Sequence, residues 1–534
     1  MGWARALLAV ATAVAVGLVL VSGGSEVDPR TPPALPGLPP PFLGTAVVGG
    51  GGMTAAIDAY GDVVDLRARP AGRALIDNPA ERQAAGSVDA DTGIVPRVAI
   101  GDGPALPLWR ADSVTQDYLR GTNVVRTVAR FGAVSVHLTD AAVAGVLARI
   151  VKTEGPAGVR LVPSVGVNVE ADAKCKAEPR LGRAVLLCRA PGGDDLSTIR
   201  ERIDSLGGPY DPMNVAEQAD FAIRLATFGD RSWLRRARPL GAGAPGWADA
   251  MYGRSLLTLR ALTDRRTGAV AAGARDGWAY VWPRDAGAAA LAFAAAGYSA
   301  EARQVARFLS SLDLSAAARF HGDGTPVEGR AAQGDAAGWV AVAAHAASRG
   351  SVWSQDVQKE PREWRGRADY REGEPGDFLA NAVASGLSAA EIAGRFGSTR
   401  GLSRAEGAEA RLDSAAAWAV RPFAQPALFP AARRTLLRLA ATGTRFGITP
   451  GEGWDGGPDP WSAPTAWSAW SLAALGERPA ALGLLTDLRR AATPAGALPE
   501  RVGAHTGIPS STTPLAWSHA FAILALRELW PTPP

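Results

Sequence analysis

The sequence is poor in the residues that build metal and redox sites. Two cysteines and five histidines are spread over 534 residues. None has ligand-like spacing, so neither a catalytic metal nor a cofactor is implied. Positive charge is not concentrated either. The formal charge is only +4, and no Lys/Arg block stands behind the pI of about 9.2, which argues against a nucleic-acid partner. No fixed-period repeat is visible, which disfavours a solenoid. No cysteine follows the N-terminal apolar run, which excludes a lipoprotein anchor.

What is present reads as an exported, two-domain chain. A hydrophobic content of 47% with 20% charged residues is ordinary for a globular protein, and the length exceeds one typical domain. Arg5 precedes an apolar run of 16 residues, Ala6 to Val21. That is the upper end for a signal-peptide core and short for a spanning helix. Residues 1–24 are therefore expected to be a signal peptide or an uncleaved signal anchor. Residues 25–42, with TPPALPGLPPP at Thr31 to Pro41, read as a stiff Pro-rich linker. The body is expected outside the cytoplasmic membrane, either released or tethered through residues 6–21.

Residues 43–240 carry a β pattern: short alternating segments, Gly-rich turns, a turn at Ala59–Asp62 and period-two alternation in VSVHL. With no long amphipathic helix in view, the pattern predicts a β-sandwich. Cys175 and Cys188 lie symmetrically about a turn at Arg180 to Arg183, which favours a structural disulfide across a hairpin over two free thiols. From 247 to 530 the period changes to helical. SLLTLRAL, AEARQVARFLSSL, AAGWVAVAAHAA, ARRTLLRLAATG, TAWSAWSLAALG and LAWSHAFAILALRELW each show an apolar face, and Gly/Pro-rich loops join them. This fits an array of helical hairpins. Fourteen of the sixteen Trp lie after residue 230, so the second half is expected to do a different job from the first.

The stretch GWAYVWPRD, Gly277 to Asp285, places an Arg–Asp pair at or near the start of a small-residue helix. Carboxylate and guanidinium can each take paired hydroxyl hydrogen bonds, and the flanking indole rings suit the apolar face of a pyranose. An N-cap Asp paired with its neighbour is the simpler alternative. YVWPRDAGAAALAFAAAG resembles the helix-opening motif of glycoside hydrolase family 15, the glucoamylase-like α-glucosidases. LPERVGAHTGIPSSTTPLAWSHAFAIL, RFHGDGTPVEGRAAQGDAAGWV and DYREGEPGDFLANAV are similar to further segments of that family, in the family's order. The resemblance implies an N-terminal β-sandwich followed by an (α/α)6 barrel, with a funnel-shaped pocket at one end.

It also implies site residues. Glu500, in LPE, matches the general base of an inverting glycosidase, and Glu372, in DYRE, its general acid. Where the family usually has DYWE, this chain has Arg371. A guanidinium close to Glu372 would stabilise the carboxylate, whereas an acid catalyst has to hold a proton. Glu374 is the fallback acid. Arg284 and Asp285 match the residues that hold the terminal sugar, and Trp282 an aromatic wall. Asp335 is either a pocket residue or a helix N-cap. Trp517 lines the pocket floor or belongs to the core. His519, alone on an apolar helix, reads as a hydrogen-bonded packing residue. The function implied is an exo-acting, inverting α-glycosidase on an oligosaccharide or other α-glucoside. A related phosphorylase and a non-catalytic glycan-binding barrel compete with it, and Arg371 is the main support for the last.

Overall fold

The computed structural model describes residues 35–76, 93–155, 159–165, 174–180, 183–191, 196, 213–275, 277–349, 364–406 and 411–532. The signal or anchor segment and most of the Pro-rich linker lie outside these. Among the described residues no helix is long and apolar enough to cross a membrane.

The N-terminal half is two antiparallel sheets. The first holds β1 (Gly44–Gly49), β2 (Thr54–Asp58), β3 (Val63–Arg67), β5 (Ile94–Ile100) and β11 (Val159–Val165) in that order, with β4 (Ala74–Ile76) on β3 and β6 (Leu106–Pro107) on β5. The second runs β12 (Lys174–Arg180), β13 (Arg183–Arg189), β10 (Val146–Glu154), β9 (Val134–Val143), β8 (Val125–Phe131), β7 (Ser113–Tyr118). The two sheets pack face to face. Ala46, Val48, Ile57 and Leu66 of the first share a core with Val125, Leu147 and Leu186 of the second.

Both faces of the second sheet are covered. Val146, Ala148 and Ile150 alternate with Leu147 and pack on Ala216, Ala219 and Ala222 of α1 (Val215–Leu234). This helix corrects the expectation that residues 43–240 contain no long amphipathic helix. Its start is explicit, since Asn214 and Glu217 form a reciprocal capping box. Its buried face is mostly alanine, so the apolar period is weak to the eye. Cys175 and Cys188 are directly opposed in the β12–β13 register and are disulfide-bonded, with Cα atoms 4.0 Å apart.

The C-terminal half is a closed ring. Its inner elements are α3 (Pro283–Ala295), α5 (Ala336–Arg349), α6 (Leu379–Ala384), a 3-10 helix (Ser414–Ala419), α9 (Ser462–Ala474) and α11 (Ala516–Leu529). Each packs on the next in this order, and α11 packs back on α3. That closure makes the array a toroid, an α/α barrel. The outer layer among the described residues is α2 (Gly246–Leu262), α4 (Ser299–Ser310), α7 (Ala389–Phe396), α8 (Phe429–Thr442) and α10 (Arg478–Ala491). The division follows from composition. Pro283 to Ala294 of α3 and Ser462 to Leu472 of α9 are buried without exception, whereas α4 and α10 bury one face only. Small residues let the inner helices approach closely: a Cβ on Gly287 of α3 would meet the Trp339 carbonyl of α5 at 2.9 Å.

The Trp-rich second half is explained in part by this centre. Trp467 makes edge contacts with Tyr370, Trp418, Trp517 and Phe521 at centroid distances of 5.2–5.6 Å. The sandwich is joined to the barrel through buried polar contacts. Asn123 Nδ2 donates to the carbonyls of Gly49 and Leu257, and its backbone N–H donates to Asp230 at 2.6 Å.

Candidate active site

The inner elements present their N-terminal ends to one side of the ring. Pro283 is the first residue of α3, where a missing N–H costs nothing. Trp282 is therefore the N-cap, and Asp285 lies in the first helical turn rather than at the cap itself. Trp461 caps α9, Leu515 caps α11, and Asp335 immediately precedes α5. The loops at this end enclose a cavity of about 340 Å³, within the usual range of about 300–1,000 Å³ for a ligand pocket. Trp278, Trp282, Trp454, Trp461 and Trp517 wall it. Asp285, Glu372 and Glu500 face it with four arginines, Arg284, Arg330, Arg371 and Arg501. A larger cavity of about 490 Å³ lies between sandwich and barrel. Its Asp230 is already tied to Arg260 at 2.8 Å and to Asn123.

Glu500 is held from several sides. Its N–H donates to the Thr512 carbonyl at 2.9 Å, and its carbonyl accepts from Ser462 at the start of α9 at 3.0 Å. Trp278 Nε1 donates to Oε1 at 3.3 Å and Ser511 Oγ donates to Oε2. Burial pushes its carboxyl above the ordinary range, while those two donors pull it down. Two residues upstream, the Leu498 N–H donates to His519 Nε2 at 2.9 Å, and the ring's Nδ1 is 2.9 Å from Ser255 Oγ. Burial drives the His519 pKa far down, so the ring is neutral, accepting at Nε2 and donating at Nδ1. His519 thus anchors the segment that carries Glu500.

Glu372 ends a tight turn, its N–H bonded to the Asp369 carbonyl at 2.9 Å, and its φ is +57°. A left-handed backbone at a non-Gly residue stores strain, which the surroundings have to hold. Trp282 Nε1 donates to Oε1 at 2.6 Å and Gln333 Nε2 donates to the same atom at 3.2 Å. The guanidinium that touches Glu372 is that of Arg330, on Oε2. The Arg371 guanidinium instead lies on Asp413 at 2.5 Å and on the Tyr370 hydroxyl at 3.3 Å. The guanidinium of Arg371 is thus not the one on Glu372, which answers the question its position in DYRE raised: adjacent side chains in a turn diverge. Glu374 is exposed and lies outside the cavity lining.

At the barrel end of the cavity Arg284 donates to Gln333 at 2.7 Å and to Asp335 at 3.1 Å, and stacks 4.7 Å above the Trp517 ring. Asp335 lies behind Arg284, outside the lining, and braces it. Asp285 is buried, and its Oδ2 accepts no hydrogen bond within the described residues. Burial raises its pKa to about 7, with Arg284 opposing and Asp335 and Glu500 adding to the rise.

The structure thus brings Trp282, Arg284, Asp285, Glu372, Glu500 and Trp517 to one cavity, with Asp335 directly behind. Gln333, Ser511, Arg330, Trp454 and Trp461 escaped the sequence reading, whereas Trp278 is one of the two indole rings it noted in GWAYVWPRD. Gln333 and Arg330 lie in EGRAAQGD, whose charged and amide residues flank the Asp that was singled out, and that proximity was the available signal. Ser511 and Trp461 carried none. Among the described residues no cluster of His, Cys, Asp and Glu could hold a metal ion.

Comparison with known proteins agrees with this architecture. The family model described as Glycosyl hydrolases family 15 matches residues 246–321. A bacterial glucoamylase solved in complex with acarbose superposes with a TM-score of 0.65 at 13% identity, covering 91% of this chain and 94% of that one. A wild-type glycosidase (TM-score 0.44, 18% identity) covers 54% of this chain and 99% of its own. A glucoamylase from Saccharomycopsis fibuligera (TM-score 0.42, 14% identity) covers 53% and 94%. No curated protein matches the chain. The chain therefore has the β-sandwich and α/α-barrel fold of bacterial glucoamylase, and the resemblance to glycoside hydrolase family 15 rests on the barrel's opening segment as well as on that fold.

Proposed function

We propose that the protein is an exported, inverting, exo-acting α-glycosidase that hydrolyses α-glucosidic bonds from non-reducing ends, with Glu372 as general acid and Glu500 as general base. One observation carries the reading. Two carboxylates 128 positions apart in sequence (500 − 372) face a single Trp-walled cavity, each held by an indole N–H. A buried Arg–Asp pair lies on the same wall. The solved bacterial glucoamylase of the same fold holds acarbose, which supports an oligosaccharide or related α-glucoside as substrate.

In this mechanism Arg284 and Asp285 take the hydroxyls of the terminal sugar, and the Trp517 side closes the pocket behind it, so only a chain end enters. Glu372 gives its proton to the glycosidic oxygen as the bond to C1 breaks. Glu500 takes a proton from the water whose oxygen bonds to C1 from the opposite face. Burial raises the proton affinity of Glu500, which suits proton abstraction. Residues 6–21 supply either a cleaved signal or a tether to the outer face of the membrane.

Sugar release from a panel of α-glucosides tests the activity, and anomeric NMR of the first product tests inversion. Glu500→Gln and Glu372→Gln should each lower kcat by at least ~10², since positioned proton transfer contributes about 10²–10⁴-fold. α-Glucosyl fluoride, whose leaving group needs little protonation, should largely rescue Glu372→Gln and not Glu500→Gln. A wild type that binds α-glucosides and releases no sugar from any of them would leave only the non-catalytic reading.

A further inference from the structure

The cavity holds more cationic charge than neutral-sugar recognition uses. Of its four arginines, Arg284 is bonded to Gln333 and Asp335, and Arg371 to Asp413. Arg501 lines the cavity and is partly exposed; its guanidinium makes no hydrogen bond or ion pair among the described residues, though its charge helps hold the Glu500 carboxyl down. Arg330 is 42% exposed, with Glu372 as its ion-pair partner. Its guanidinium is 5.9 Å from the Trp282 ring centroid. An acid catalyst lies beside the leaving oxygen by definition, so a cation in contact with Glu372 marks the aglycone side of the scissile bond. Arg284 and Asp285 mark the opposite, sugar side.

We infer that the site is built for α-glucosides whose aglycone carries an anion, a carboxylate or a phosphate, which Arg330 grips with Arg501 as the second cation. The inference rests on the hydrolytic reading above and names its substrate class. The chemistry explains an otherwise awkward contact. A guanidinium on Glu372 favours the carboxylate, whereas catalysis needs the acid. An anionic aglycone draws the guanidinium onto itself. Glu372 is then free to take a proton from solvent and pass it to the glycosidic oxygen. A neutral aglycone offers Arg330 no comparable partner. Planar guanidinium suits both anions bidentately.

The test compares 3-carboxyphenyl and 3-carbamoylphenyl α-glucosides, which are matched in shape and differ in charge, with the 3-phosphonooxyphenyl glycoside as a third arm. For the wild type, kcat/KM should favour the carboxylate over the amide by at least ~10-fold, as expected for one charge-assisted contact. The preference should shrink as salt rises. Arg330→Gln should collapse the ratio towards one, Arg330→Lys should retain much of it, and Arg501→Gln should reduce it. The ratio of the phosphate to the carboxylate substrate tells which anion is preferred. A wild-type ratio near one, or a ratio unmoved by Arg330→Gln, overturns the inference while leaving hydrolysis standing. If the wild type hydrolyses none of these glycosides nor α-glucosyl fluoride, the hydrolytic reading falls and takes this one with it.

Discussion

Replacing Arg371 by Trp, the residue usual in the family at that position, separates two explanations of the departure. If Arg371 damped the acid catalyst, Arg371→Trp would move the pH–rate profile and raise activity. The structure assigns it another task. Its guanidinium is 2.5 Å from Asp413, and the two side chains are 7% and 1% exposed. Asp413 also accepts from the Tyr370 hydroxyl at 3.0 Å and from the Ala415 N–H at 2.7 Å. Burial already pushes the Asp413 carboxyl up, and Arg371 is the chief group opposing it. Removing one partner of such a buried pair costs about 3–5 kcal/mol, because the other charge is left without its counterion. At about 2 °C per kcal/mol for a unit of this size, Tm should fall by about 6–10 °C. Asp413→Asn in the same background should recover most of that loss, since no charge is then stranded. The assay is a thermal melt of the four proteins of the cycle, with pH–rate profiles on one α-glucoside. An Arg371→Trp variant as stable as wild type, or one whose profile limb for the acid group moves, would refute the reasoning.

Four further outcomes follow. Asp285 titrates near pH 7 in the fold against 3.8 ordinarily. Its contribution to stability is therefore greatest below about pH 4 and is lost as pH rises from 4 to 7. Melts should show Asp285→Asn gaining on the wild type across that window, while its KM for an α-glucoside rises about tenfold from a lost hydroxyl contact. Ser511→Ala removes a donor that holds the Glu500 carboxyl down, so the limb of kcat/KM governed by the base should move to higher pH. Glu374→Gln, at an exposed position, should leave kcat within about twofold, and a large loss would move the acid there. Exchanging both Cys175 and Cys188 for Ser opens a loop of 13 residues and should cost up to about 3 kcal/mol, read as a lower denaturant midpoint.

How much was legible depends on where each signal resides. The switch from period two to period 3.6 separated sandwich from barrel, because each half buries faces of its own kind. Closure of the ring was not in the periodicity. It depends on how inner helices of alanine, glycine and serine approach, as at Gly287 against Trp339, and only the family resemblance pointed to it. α1 was missed because an alanine face covers β10 and β13 without a strong apolar stripe. The DFLANAVASGLSAAEIAGRF segment reads as one helical pattern, yet Gly386 at φ +83° divides it into α6 and α7. WPRD and LPE were readable because their residues are contiguous. Arg330, Gln333, Trp278 and Ser511 reach the carboxylates from loops up to 222 positions away in sequence, and no local pattern encodes such a contact.

That difference also divides the cavity. One wall, the sugar side on the function proposed above, is built on the first turns of α3 and α11, backed by Asp335 at the start of α5. Regular backbone fixes Arg284 and Asp285 there, so a short motif suffices to specify them. The opposite wall, the aglycone side on that proposal, is built on loops. Glu372 is held at a strained φ by side chains from two other segments, and Arg330 rides on the connection between α4 and α5. The sandwich braces that connection, with the Gly322 N–H donating to the Ala71 carbonyl at 2.7 Å. Loops tolerate substitution where helix ends do not. Arg371, the departure noted in DYRE, lies on the loop-built wall, while the helix-built wall keeps WPRD. If the proposed function holds, a change of aglycone is the alteration this architecture admits without moving the helix-built wall.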